Sequence, residues 1–561
     1  MSIQGGLIES GISPDSNLIE LTDILIPIPL VGKSDRIEME TKIIAHLGAL
    51  TLEIACKTLK NNFQNQESKP FPMQVFLSDT SLLIVQCFAA FSISAAIVAS
   101  IHVILRSGDN RSAIGWLGLF WLGYPLIGSL IYLMVGVNLI RRDKKAIGAA
   151  ILSKTKRRRP HAPRTGTEPL RSLAIAPHMH TLKKMGDRIL GNKLHAGDLI
   201  EPLIGGSQAY PAMIAAINSA QRSIALASYI FKDDYAGNQF ADALQNAQNR
   251  GVQVRVLIDA MGSTHGGRSI YRNLKNRGLP VHRFMPTLGL PFFRFINLRN
   301  HRKILVVDGH TAFTGGTNID VAFWPEHCPP DVETKSDFHF RVQGPVISDI
   351  MAAFEQDWRF TTGEALDGDT WKVALIQQGP MFARGIPDGP DSNTRLTHSF
   401  ILAALATAKH SIRIVTPYFL PPSDIISAIG VAILRGVKIE ILVPDPTNSL
   451  LVQWASGDYL KKIDELGGIV WADKGHFSHT KLMVVDGCWS MIGSANWDPR
   501  SLRLNFEFNL ECHSEELASK INHYWDERMK STQIWHHPTI GERPRWMEIR
   551  DGLARLCTPL L

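Results

Sequence analysis

The sequence predicts an α/β protein made of two similar halves, each a sheet covered by helices, preceded by a pair of membrane-spanning helices. Three observations predict this class: two long stretches without a charged residue, at 81–105 and 112–140; a helix–strand pattern that occurs twice beyond about residue 200; and a short polar motif present once in each copy. A chain of 561 residues is long enough for two or three domains, each burying its own core.

Residues 1–72 carry no motif, only an amphipathic stretch around 39–59, and are read as an extension of unassigned role. Met73 stands directly before the first apolar stretch and marks a second point at which translation could begin. Each charge-free stretch is long enough to cross a hydrocarbon core of roughly 30 Å as a helix. With only residues 106–111 between them, the two spans predict a hairpin over 73–140. Trp116, Trp121 and Tyr132 are read as packing within that hairpin rather than as functional groups.

Residues 141–200 read as a basic linker. Its positive residues, Arg141, Arg142, Lys144, Lys145 and the run from Lys154 to Arg159, place the bulk of the chain on the cytoplasmic side, because flanking cations stay inside. The net charge of +7 favours anionic partners and does not choose between lipid and nucleic acid. Six dispersed cysteines with no C-x-x-C pair predict neither a zinc site nor a disulfide framework.

The repeat follows. Residues 214–229 and 401–416 each pass from a helical to a strand pattern, and 250–258 and 435–443 each begin Arg-Gly-Val before an apolar strand. These copies define a first half at 201–378 and a second at 391–535, separated by a seam at 379–390 whose Gly-Pro content predicts a turn. A tail at 536–561, expected at the membrane interface, completes the chain.

Each half carries the same polar constellation. The first presents His301, Lys303 and Asp308, then Gly315-Gly316 and Asn318; the second presents His479, Lys481 and Asp486, then Gly493-Ser494 and Asn496. His and Lys two apart on an extended strand project from one face. The glycine pairs are expected to let the backbone approach a phosphate, with Asn donating to it.

One such set from each half would surround a phosphodiester with two imidazoles and two ammonium groups. One imidazole attacks phosphorus; the other protonates the leaving alcohol and later deprotonates the incoming one. The lysines and asparagines neutralise the developing charge, with no metal and no cofactor. Asp337 and Glu507, each downstream of its asparagine, are the expected orienting acceptors for the histidines. Asp308 and Asp486 belong to the catalytic motif but read as turn-formers. Tyr229, Tyr418 and Phe419 read as packing.

The duplicated H-x-K-x4-D pattern resembles the signature of the phospholipase D superfamily over about residues 200–530. The resemblance implies two pseudo-symmetric phospholipase D-like α/β/α sandwich halves and a phosphohistidine intermediate, with the first histidine as nucleophile. Bacterial cardiolipin synthases are the similar subgroup, on the hairpin, on residues 298–303, 416–421 and 500–507, and on the ending 555–561. That likeness implies transfer of a phosphatidyl group from one phosphatidylglycerol to another with release of glycerol, in the bacterial inner (cytoplasmic) membrane. Membrane-embedded anionic phospholipid is then the expected partner, and nucleic acid is not. A phospholipase D hydrolase or related phosphatidyltransferase uses the same residues, while a membrane-bound nuclease and an inert scaffold are further alternatives; the segment before Met73 departs from the pattern.

Overall fold

A computed structural model describes residues 73–106, 110–122, 125–132, 175–264, 270–286, 298–390, 395–445, 447–475, 477–535, 544–556 and 558. The chain divides into two compact units, Met1–Leu133 and Met134–Leu561. The N-terminal extension before residue 73, the basic run at 141–159 and the end of the second apolar stretch lie outside the described residues.

In the first unit a helix spans Met73–Arg106, and its segment Ile84–Ile104 is long and apolar enough to cross a membrane. Ile84, Phe88, Phe91 and Ile104 are exposed on it, as a lipid-facing surface would require. The expected unbroken helix over 112–140 is instead two short ones in its described part, Asn110–Leu122 and Pro125–Ile131. The cause is Pro125, which lacks an N–H and disfavours helical geometry in the residue before it; freedom from charge alone did not reveal that break. The short helices pack back on the long one, where Trp121 donates to Ser100 Oγ (3.0 Å) and Tyr132 hydrogen-bonds His102 (2.7 Å).

The second unit is organised by one mixed sheet of 15 strands among the described residues. The first half supplies β1 (His195–Ile204), β2 (Ser223–Ser228), β3 (Gln253–Asp259), β4 (Val281–Phe284), β5 (Ile304–Val307), β6 (Thr311–Gly315) and β7 (Phe338–Gln343). The second supplies β8 (Met381–Asp388), β9 (Ser411–Val415), β10 (Lys438–Pro444), β11 (Ile469–Asp473), β12 (Leu482–Val485), β13 (Trp489–Gly493), β14 (Glu507–His513) and β15 (Thr532–Ile534). Their order is β4-β3-β2-β5-β6-β7-β1 and then β8-β14-β13-β12-β9-β10-β11-β15, so the second series repeats the first strand for strand in mirrored sequence, with β15 added at the edge.

β1 joins the halves. Its residues 199–204 pair with β7 and its residues 195–198 with β8, across a register shift at Gly197, where φ is +93°. The strand that opens the first half's share of the sheet thus starts at His195. The Gly-Pro seam is not a turn: β8 occupies it, between β1 and β14 at the centre of the sheet. Gly385 is there because a Cβ would meet Asp349 Cβ at 2.6 Å, a matter of close approach and not of turning. Pro387 falls where β8 is paired with β14 alone, the setting in which a strand tolerates a residue without an N–H.

Helices cover both faces. Gly205–Ser219 and Tyr235–Asn249 bury Tyr210, Ile217, Phe240 and Leu244 against one face of β2 and β3, beside Ile224 and Val256. Leu396–Thr407 and Ser423–Leu434 do the same over β9 and β10. Ile347–Thr362 and Glu515–Met529 lie in a central core that draws Val306 and Phe340 from the first half and Val484 and Leu510 from the second. This continuous apolar layer holds the halves as one body.

Candidate functional site

β2, β3 and β4 are parallel, as are β9, β10 and β11. β5 and β12 run antiparallel to β2 and β9, so the residues just before them stand at the carboxyl ends of the parallel strands. Those residues are 298–303 and 479–481. Each segment is fastened to the opposite half: the His301 N–H donates to Phe506 O (2.8 Å) and the Phe506 N–H to Arg299 O (2.8 Å), while the His479 N–H donates to Ser336 O (2.8 Å).

Buried charge fixes the first segment further. Asp259 accepts from the Asn300 backbone N–H (2.8 Å). Arg302 pairs with Asp357 (2.9 Å) and donates to Glu507 O and Asp388 O, both at 3.0 Å in the second half. A planar guanidinium with five donors is suited to such a span.

The two motif histidines come together as expected. Their ring centroids are 6.4 Å apart and nearly perpendicular at 75°, about two near-attack distances of 3–3.5 Å, which suits a single phosphate group between them. Each ring meets a carboxylate from the other half. His301 Nδ1 lies 3.2 Å from Glu507, and His479 Nδ1 lies 2.8 Å from Asp337. Glu507 and Asp337 are thus the carboxylates at the two rings, with the pairing crossed between the halves.

The two pairs differ. Glu507 also accepts from Ser494 Oγ, and the charges of His301 and Lys303 hold its carboxyl below its ordinary value in spite of burial. Burial pushes Asp337 up to about 6, with Lys481 opposing. Lys481 Nζ stands 2.8 Å from His479 Nδ1 as well, so that nitrogen either donates to Asp337 or accepts from Lys481. Burial, then the neighbouring lysines, lowers both histidines, His479 the further. Burial also brings Lys303 down to about 7 and Lys481 to about 8, with Glu507 opposing the first and Asp337 the second. Burial and the lysines work against a charged imidazole, and an incoming phosphate anion favours the charged forms of His479 and of both lysines, which readies His479 to give up a proton.

The remaining motif residues divide. Asn318 accepts from the Ile230 N–H (3.2 Å), which leaves its NH2 to donate. Asn496 bonds Asp498 with its side chain. At Gly315-Gly316 and Gly493-Ser494 neighbouring strands come close: a Cβ on Gly316 would lie 2.4 Å from both Asp337 oxygens, and one on Gly493 would lie 2.4 Å from Asn509 Oδ1. The glycines let the chain pass close to β7 and β14, and so place the carboxylates.

Asp308 and Asp486, grouped with the catalytic motif in sequence, lie about 20 Å further along an extended chain from their histidines. Asp308 accepts from the backbone of Gln221, Arg222 and Ser223, and Asp486 from that of Lys409, His410 and Ser411, all within 2.9 Å. These are the contacts of a residue that fastens a turn.

Sequence reasoning also passed over side chains at the site. Tyr229 was read as packing, yet its ring lies 4.9 Å from that of His301 and 5.4 Å from Lys303 Nζ. Tyr418 lies 6.4 Å from His479. The signal available was position, since both follow the last residues of parallel strands that end at the motif. Phe419 is core, stacked on Trp497. Ser494, hidden inside a pair read only as a turn, carries the hydrogen bond to Glu507.

Comparison with known proteins agrees with this architecture. The family model described as cardiolipin synthase, PLD-like domain, matches residues 213–358 and 401–529. The cardiolipin synthase of Geobacillus thermodenitrificans (strain NG80-2) is 30% identical over 84% of this chain and 93% of its own length. That of Alkalihalophilus pseudofirmus is 30% identical over 83% and 92%, and the major cardiolipin synthase of Bacillus subtilis (strain 168) is 29% identical over 83% and 97%. Among solved structures, the phosphatidylserine synthase of Haemophilus influenzae Rd KW20 superposes with a TM-score of 0.55 at 16% identity, over 68% of this chain and 100% of that one, a likeness of fold. The chain belongs to the cardiolipin synthase family of phospholipase D-like proteins.

Proposed function

We propose that this member of the family is a cardiolipin synthase working by double displacement, with its two halves acting as a pseudo-twofold pair around one phosphate. His301 Nε2 attacks the phosphorus of one phosphatidylglycerol, the bond to the glycerol oxygen breaks, and His479 gives that oxygen a proton. His479 then takes the proton from a hydroxyl of a second phosphatidylglycerol, whose oxygen attacks the phosphohistidine and displaces His301. Lys303 and Lys481, with Asn318 and Asn496, stabilise the phosphoryl oxygens.

The observation that carries this reading is the crossed pairing, in which each histidine has its partner histidine 6.4 Å away and a carboxylate from the opposite half. The ionised Glu507 favours a proton on His301 Nδ1 and a lone pair on Nε2, which supports His301 as the nucleophile. The setting we propose is the bacterial cytoplasmic membrane. Ile84–Ile104 and the apolar segment after it would form a multi-pass hairpin, and the basic run would keep the catalytic part on the cytoplasmic side.

The test is product analysis. The purified chain given phosphatidylglycerol is expected to yield cardiolipin and equimolar glycerol, and His301→Ala and His479→Ala to abolish both. Phosphatidic acid as the main product would overturn the synthase reading in favour of a hydrolase.

A further inference from the structure

The last described helix, Arg545–Leu556, is amphipathic in an unusual sense: its apolar stripe faces outward. Trp546, Ile549, Leu553 and Leu556, at helical spacings of three and four, are 58–76% exposed, whereas the side chain it buries is Ala554. The helix is nevertheless held in place. Arg555 pairs with Asp458, and the Arg550 guanidinium lies 4.4 Å from the Trp454 ring and 5.5 Å from that of Trp546. A fastened helix with four large apolar groups in solvent is a surface built for a partner.

Its neighbours extend the patch. Leu450 and Leu451, at the start of the helix Leu450–Glu465, are also exposed, and an apolar groove runs between the two helices, lined by Leu451, Trp454, Trp546, Ile549, Arg550 and Leu553. Behind the groove, Ala554 shares a small core with Leu420, Val452 and Ala455, against which Tyr418 packs. Tyr418 is the ring 6.4 Å from His479. The helix is thus connected to the reacting histidine through that small core and Tyr418.

We propose that Arg545–Leu556, with Leu450 and Leu451, is an interfacial helix that lies in the surface of a phospholipid bilayer and brings the site mouth beside Tyr418 to its lipid substrates. The inference rests on reading the chain as a lipid-transferring enzyme, and goes beyond it by assigning the surface. Two features select a bilayer over a protein partner. The same chain carries a helix long and apolar enough to cross a membrane, so a bilayer is at hand. The stripe also has an interfacial composition, a tryptophan and aliphatics with the exposed Arg545 at its start, a cation that matches anionic headgroups.

The experiment uses the full chain in proteoliposomes of phosphatidylglycerol and phosphatidylcholine, with a benzophenone-bearing residue in place of Leu553 or, as a control, of the still more exposed Leu434 on Ser423–Leu434. Irradiation is expected to give roughly fivefold or more phospholipid adduct at 553 than at 434. Equal adduct at both positions, or cross-linking of 553 to a second copy of the chain, would overturn the proposal. A second measurement avoids a perturbing label: lipids brominated in the acyl chain should quench a fluorescence component that is missing in Trp546→Phe, and identical quenching of the two proteins would again refute it. Neither readout needs turnover. A chain that docks and makes no cardiolipin refutes the proposed activity alone, and one that makes cardiolipin with Trp546 in water refutes only the interfacial helix.

Discussion

Replacing Glu507 by Gln removes one charge from the site and almost no volume. Glu507 is fully buried, 3.2 Å from His301 Nδ1, and also engaged by Ser494 Oγ and by Asn505 Nδ2 at 3.3 Å. An amide keeps an oxygen for one of these donors, so packing should survive. What disappears is the charge-assisted part of the bond to an imidazole that becomes cationic as it displaces glycerol. Hydrogen bonds to charged groups contribute about 1.5–3 kcal/mol, which is roughly a 10- to 150-fold fall in the rate of glycerol release. Rapid-quench measurement of glycerol released in the first turnover reads that step directly, with KM expected to move by less than about threefold because the bond strengthens in the transition state. A first-turnover rate within about threefold of wild type would refute the role given to the pair.

The remaining predictions test the scaffold and the charge state. Arg302→Ala leaves Asp357 buried without its guanidinium and cuts three ties to backbone carbonyls, two of them in the other half; a loss of about 3–5 kcal/mol in urea unfolding is expected, and Arg302→Lys should recover little of it, since an ammonium cannot span the same acceptors. Asp486→Ala strips the acceptor from three backbone N–H groups and should cost about 2–3 kcal/mol, with kcat per folded molecule unchanged; a catalytic aspartate would show the reverse. Lys303 at about 7 and Lys481 at about 8 lose their protons as pH rises, and Asp337 at about 6 gains one as pH falls. Thermal stabilisation by tungstate, a phosphate mimic, should accordingly grow as pH falls through about 8 and 7 and not decline as Asp337 is neutralised near 6, and Lys303→Arg should carry it to higher pH.

The chemistry was legible in the sequence because it is local. His301 and Lys303, or His479 and Lys481, declare themselves by a spacing of two, and the duplication removes the ordinary explanation of either histidine as an isolated structural residue. The partners were less legible because they are remote. Glu507 is 206 positions from His301 and Asp337 is 142 from His479, so each carboxylate could be named by its place after an asparagine, but nothing local says that the pairs cross. Composition misled where close packing set the rule. A Gly-Pro stretch reads as a turn until it is known that Gly385 must admit Asp349, and a charge-free stretch reads as one helix until Pro125 is given its weight.

The crossing also explains why the polar core has its particular form. A histidine paired within its own half would be complete whether or not the halves met, and the isolated half would hold an assembled but useless dyad. Here His301 gains its acceptor only when Phe506 bridges to Arg299, and His479 only when Ser336 bridges to Phe477, so docking of the halves and orientation of the imidazoles are the same event. The buried lysines make the coupling stricter. Lys303 and Lys481 are each stabilised in charged form by both Glu507 and Asp337, so an unpaired half would hold a buried ammonium with half its compensation, an expensive state. Arg302 opposes that state by tying the first motif to backbone carbonyls on both sides of the junction. The residues that perform the transfer therefore depend on the interface that unites the halves, and a substitution at Arg302 should lower activity and cooperativity of unfolding together, whereas one at Glu507 should lower activity alone.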